Sequence, residues 1–166
     1  MPNPPFDWYE PYLIEDKYVF ATTDGRTYAV SFEEQSFVDT SEFPCADRTY
    51  EVFLTLENAP PAYTTDPRTG ATLAYIIRQF IEQDRLRIVF FTCDTADGRH
   101  YARFKRFNEW FQLNNNGHFL KLEDSVTYRA INKLFLIALI IRNDHPYGGE
   151  ILVAFTRLNT ELRAQK

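Results

Sequence analysis

Residues 93–110 hold the side chains best suited to chemistry. The run Cys93-Asp94-Thr95-Ala96-Asp97-Gly98-Arg99 follows a continuously apolar stretch and precedes a helical pattern. Two carboxylates at a strand end, beside a helix N-terminus, stand where ligands often sit in layered α/β architectures. The same residues have structural roles open to them. Asp97 can cap the helix and complement its dipole, and Asp94 can serve a turn or an ion pair. The structural roles are the more economical reading.

The helix that follows carries the stronger signal. At about 100° per residue, Arg103, Arg106 and Trp110 fall within about 40° of Arg99. Phe104, Phe107 and Phe111 form a neighbouring stripe suited to a core. No acid falls on the arginine line, and like charges one turn apart repel by about 0.2–0.5 kcal/mol per pair unless an anion compensates. That anion is either external or internal. Outside the chain, a phosphate backbone or an acidic protein surface fits, with Trp110 adding a stacking face. Inside it, Asp94, Asp97, Asp144 and the acids of the first third are available, and half-buried arginines usually find such a partner.

Other chemistries find little support. The six glycines never approach a phosphate-binding loop, whether GxxxxGK[ST] or GxGxxG. His100, His118 and His145 are spread over a helix, a strand start and a loop, which is not metal-ligand spacing. His100 belongs to the core-facing side of its helix, where a structural histidine is expected rather than a base. Cys93 ends an apolar strand, the setting of a buried, inert thiol, and no GxSxG elbow is present. No catalytic residue, metal ligand or cofactor is therefore assigned, and a non-enzymatic role is expected.

The elements that position these residues are read from periodicity. Tyr18–Thr22 and Thr27–Phe32 alternate about Asp24-Gly25, a hairpin signal whose tight turn places both residues at positive φ. Thr49–Leu56 alternates again. After a Pro-rich loop, Leu73, Ile76, Ile77, Phe80 and Ile81 mark the apolar stripe of a helix beginning near Thr69. Ile88–Cys93 reads as a strand covered on both faces. A helix over about Arg99–Leu113 ends at Asn114-Asn115-Asn116-Gly117. Residues 119–127 and 133–142 are further strands, and Ile151, Leu152, Phe155 and Leu158 outline a last helix. The expectation is an α+β fold of about six strands in the order βββ-α-β-α-ββ-α, its sheet mainly antiparallel with helices packed on one face. Residues 1–16, Pro-rich and acidic, form an arm, and residues 17–166 one domain.

The totals bound the partners. A chain of 166 residues with 45% hydrophobic and 25% charged residues suits one globular domain. Its 15 Phe and 10 Tyr point to a sheet-centred core. Residues 1–66 hold 13 Asp and Glu against 3 Lys and Arg, whereas residues 67–166 hold 10 against 15. Such a split marks either a basic partner-binding half or two halves that neutralise each other. Two widely spaced cysteines and no leader-like N-terminus suit the reducing cytoplasm. The longest apolar run, Leu134–Ile141, is far short of a membrane span.

The pattern Cys93-Asp94-x-x-Asp97-Gly98-Arg99-x-x-Ala102-Arg103-x-x-x-Phe107-Asn108-x-Trp110-Phe111 resembles the signature of a bacterial family of uncharacterised proteins, a domain of unknown function. Leu139-Ile140-Ile141-Arg142-Asn143-Asp144-His145-Pro146, Ala154-Phe155 and Thr23-Asp24-Gly25-x-x-Tyr28 resemble it too. Lys105, Arg106 and His145 depart from the pattern, so Arg99 and Arg103 are the more secure pair. The resemblance implies one compact domain and no activity. Three functions remain in play. One is a binding or regulatory module using Arg99, Arg103, Arg106 and Trp110 on an anionic or protein partner. The second is a nucleic-acid-binding or nuclease-like effector employing Asp94 and Asp97, against which the acidic pI of 5.2 counts. The third is a small-molecule binder with a pocket between the aromatic sheet face and a helix.

Overall fold

A computed structural model describes residues 8–34, 43–58, 66–94, 98–128 and 133–164. Seven strands form one sheet in the order β1-β2-β3-β4-β5-β7-β6. They are β1 (Tyr12–Ile14), β2 (Lys17–Ala21), β3 (Thr27–Glu34), β4 (Thr49–Leu56), β5 (Ile88–Asp94), β6 (Phe119–Tyr128) and β7 (Lys133–Arg142). The helices are α1 (Pro67–Gln83), α2 (His100–Asn114) and α3 (Gly148–Ala164). All neighbouring strands pair antiparallel except β4 and β5, which run parallel across the α1 crossover. The α+β class and the mainly antiparallel sheet are as the periodicity implied.

Two features depart from that expectation: a seventh strand, and helices on both faces of the sheet rather than on one. Residues 12–14, within the acidic arm, form an edge strand, and Tyr9 is buried against α1 through a bond from its backbone N–H to Thr72 Oγ1 at 2.8 Å. The helices also divide between the two faces. α1 and α2 cover one face, where Leu73, Ile76, Phe80, Phe104 and Phe107 meet Val30, Val52, Val89, Ala138 and Ile140. The other face receives α3, whose Ile151 and Phe155 meet Ile88, Phe90, Ile137, Leu139 and Ile141. Both-face burial of β5 and β7 is what their unbroken apolar runs require.

The β2–β3 hairpin forms at Asp24-Gly25, with a different turn. Only Gly25 has positive φ, at 86°, because five residues rather than two span the strand ends Ala21 and Thr27. The wider loop lets Asp24 turn inward. Its Oδ1 accepts from Arg26 Nε at 3.1 Å and its Oδ2 lies 2.9 Å from the second guanidinium nitrogen, while Thr22 Oγ1 also donates to it. Arg26 is 2% exposed and bonds Tyr28 Oη at 3.2 Å. That two-point ion pair raises its already high pKa and keeps it charged.

Candidate binding helix and adjoining cleft

α2 starts without a side-chain cap. Gly98 takes φ 72° to turn the chain, and Arg99, rather than Asp97, occupies the N-cap position, its carbonyl accepting from Arg103 N–H at 3.0 Å. Asp97 lies outside the described residues. Asp94 ends β5, its backbone paired with Phe135 of β7. At the other end, Asn114 Nδ2 donates to Trp110 O at 2.8 Å, Asn115 N–H donates to Phe111 O at 2.8 Å, and Gly117 at φ 86° releases the chain into β6. The Asn-Asn-Asn-Gly stop acts as its composition implied.

The phenylalanine stripe faces the sheet. Phe107 stacks on Phe91 with ring centroids 3.9 Å apart and 9° between planes, and Phe104 is buried beside it. Arg99, Arg103, Lys105 and Arg106 lie on the exposed remainder of the helix, with Tyr101 62% exposed among them. Arg99, Arg103 and Arg106 each also interact within the chain. Glu109 is the sole acid between Gly98 and Asn114. Asp144, one of the internal acids considered for the arginine line, forks onto Arg142 instead, at 2.8 Å and 3.2 Å. That hydrogen bonding lowers the Asp144 pKa below the usual carboxylate range.

Trp110 does not continue the exposed line. Its half-buried ring lies on Gly70 of α1, so close that a methyl group at that glycine would collide with the indole. Trp110 thus lines a cleft of about 90 Å³ between α1, α2 and the sheet. Leu73, Ile77, Phe107 and Ile140 form its apolar floor, and Asn114 and Asn115 stand at its rim. Across the opening, Trp8 stacks on Tyr75 at 4.4 Å, and the Arg78 guanidinium lies 5.7 Å from each of those two ring centroids. Both tryptophans of the chain border this one space.

A polar network that periodicity did not suggest binds the arm to the start of α1. Asp66 caps α1 by accepting from Arg68 N–H at 3.0 Å and also accepts from Tyr9 Oη at 2.5 Å. Arg68 lies over the Tyr9 ring at 4.0 Å and donates to Trp8 O at 3.1 Å. His145, at the β7–α3 turn, is 6% exposed and satisfied at both nitrogens, Nε2 with Leu86 O and Nδ1 with Tyr147 N–H, each at 3.0 Å. His118, exposed just before β6, accepts from Asn143 N–H through its backbone carbonyl. Among the described residues no three His, Cys, Asp or Glu side chains gather where they could hold a metal ion. Nor does any described helix have the length and apolarity to cross a membrane.

A basic helix and an aromatic cleft lie side by side on one face of the mixed sheet of an α+β domain. A model described as "Family of unknown function (DUF6169)" matches residues 65–157, more than half of the chain, and the chain belongs to that family. The match takes in α1, β5, α2, β6 and β7, and with them the motif residues 93–111 and 139–146. Strands β1–β4 and the Asp24-Gly25 motif precede it. No curated protein matches the chain.

Proposed function

We propose that this protein is a non-enzymatic, cytoplasmic binding module of bacterial origin whose helix α2 receives an acidic protein partner. The observation that carries the reading is the exposure of Arg99, Arg103, Lys105 and Arg106 on one short helix that contains a single acid. Such a surface steers anionic partners by long-range attraction and holds them by charge-assisted hydrogen bonds. The phenylalanines beneath anchor the helix to the sheet, so its cations are presented on a rigid element. The acidic chain total argues for a protein partner over nucleic acid.

The test is titration of a Glu-rich peptide and, separately, of a single-stranded oligonucleotide. Peptide binding that Arg103→Glu weakens on the order of ten-fold or more, at unchanged melting temperature, supports the proposal. Oligonucleotide binding with a log–log salt slope of about −2, as three phosphate contacts give, would favour the nucleic-acid reading. Binding of neither, or loss of folding in Arg103→Glu, defeats both.

The cleft supports a second reading, a small planar anion. Its walls are aromatic, and among the described residues no carboxylate pairs with Arg78, whose guanidinium lies near the Trp8 and Tyr75 rings. Benzoate is a suitable probe. Quenching of tryptophan emission that disappears in Arg78→Leu supports this reading, and unchanged emission at millimolar benzoate removes it.

A further inference from the structure

Strand β6 ends the sheet. Among the described residues its ten-residue outer edge pairs with no other strand. The direction of each backbone group follows from one bond. Asn143 N–H donates to His118 O at 2.9 Å, and residues opposite each other in the β6–β7 ladder alternate between bonded and unbonded pairs. Even-numbered residues of β6 therefore bond β7, and Lys121, Glu123 and Ser125 turn their N–H and C=O groups outward. Phe119 O, also outward, is taken by Asn115 Nδ2 at 3.1 Å, and Ser125 N–H by Asp124 Oδ1 at 2.7 Å. The open stretch is centred on Leu122.

The side chains select one occupant for that stretch. In an antiparallel pair of two identical strands, a two-fold axis at Leu122 places Lys121 opposite Glu123 of the other copy, twice. An axis at Glu123 would oppose two glutamates, and one at Lys121 two lysines, both unfavourable. Lys121 does not block approach as an edge lysine often does. Its side chain is 12% exposed and lies back over α2, with Nζ 2.5 Å from Asn108 Oδ1, 2.6 Å from Glu123 Oε2 and 5.7 Å from the Phe111 ring centroid. On the opposite face, the same axis brings the two half-buried Leu122 side chains together and covers Leu120, which is 42% exposed.

We propose that β6 is a self-association edge, pairing antiparallel with β6 of a second copy about Leu122 to form a continuous fourteen-strand sheet (about twice the seven of one chain). Four new backbone hydrogen bonds join Lys121 and Glu123 of each copy to Glu123 and Lys121 of the other. This assembly is independent of the ligand reading above, since it uses neither the α2 cations nor the cleft.

Light scattering coupled to gel filtration should give twice the chain mass of 19.5 kDa for the unaltered protein. Lys121→Glu leaves only acids across the axis and Glu123→Lys only cations. Each should weaken dimerisation on the order of ten-fold or more, and a mixture of the two should recover a heterodimer. Amide exchange supplies a second readout without substitution: the Lys121 and Glu123 N–H groups should exchange slowly in concentrated protein and fast in dilute protein. A monomer at about 100 µM with fast exchange at both amides overturns the proposal. So does a dimer unaffected by either charge reversal, failure of the two folded variants to combine, or protection that arises only with a foreign chain.

Discussion

Gly70→Ala tests whether α1 and α2 are locked by the close approach of Trp110. In an ordinary exposed helix the change stabilises by about 1 kcal/mol, because alanine restricts the unfolded chain and favours the helix. Here the added methyl group meets Cδ1, Cγ and Nε1 of the Trp110 ring. Cγ is the root of the indole, so spinning the ring about the Cβ–Cγ bond does not clear it, and relief requires a new χ1 rotamer or a backbone shift. Overpacking of this kind costs about 1–3 kcal/mol. The expected balance is a net loss of up to about 2 kcal/mol, a fall of up to about 6 °C in Tm for a chain of this size. Urea denaturation of four proteins closes the cycle: unaltered, Gly70→Ala, Trp110→Ala and the double variant. In the Trp110→Ala background the methyl group has room, and Gly70→Ala should stabilise by about 1 kcal/mol. Equal stabilisation in both backgrounds would refute the steric argument.

Asp24→Ala strips the buried Arg26 guanidinium of its two-point partner and should cost about 3 kcal/mol, less than a fully enclosed pair because Asp24 is 32% exposed, as read by chemical denaturation. Thr69→Val should be neutral or stabilising by about 1 kcal/mol, since the Thr69 hydroxyl is buried with no hydrogen-bond partner among the described residues. A loss above about 1 kcal/mol would reveal a partner for it. Asp144, held ionised by Arg142, has a folded pKa below its unfolded value, so its contribution is present above the unfolded value and fades as pH falls through the folded one. Carboxyl-carbon NMR should place its midpoint below that of an ordinary aspartate, and Arg142→Gln should return it to the ordinary range.

The elements whose burial follows one period were legible from residues alone. The stripe Leu73, Ile76, Ile77, Phe80 and Ile81 lies in the core of α1, and β5 and β7 are covered on both faces as their apolar runs demanded. β1 was not legible because Tyr12, Leu13 and Ile14 are all exposed, which leaves no alternation to read. The face taken by α3 depends on which side the β7–α3 turn leaves the sheet, a property of chain path rather than of pattern. For the site, the helical wheel separated the arginines from the phenylalanines but misjudged Trp110. An aromatic ring at the border of the two stripes is drawn inward where a partner helix offers a glycine, and Gly70 is about forty residues away in sequence. The Trp8–Tyr75–Arg78 stack brings together segments with no common period, so no local pattern could announce it.

The parallel joint between β4 and β5 has a mechanical consequence. Only Thr49, Tyr50 and Glu51 pair across it, with Ile88, Val89 and Phe90, whereas seven residues of β3 pair with β4. The sheet is therefore two leaves meeting along a short seam, and α1 is the clasp across it. Phe80 stacks on Phe32 of the first leaf at 3.8 Å and meets Tyr50 edge-on at 5.0 Å, while α1 leads directly into β5 of the second. Loosening that clasp, as Phe80→Ala would, should let the N-terminal leaf detach as a unit while β5, β6 and β7 keep their ladders.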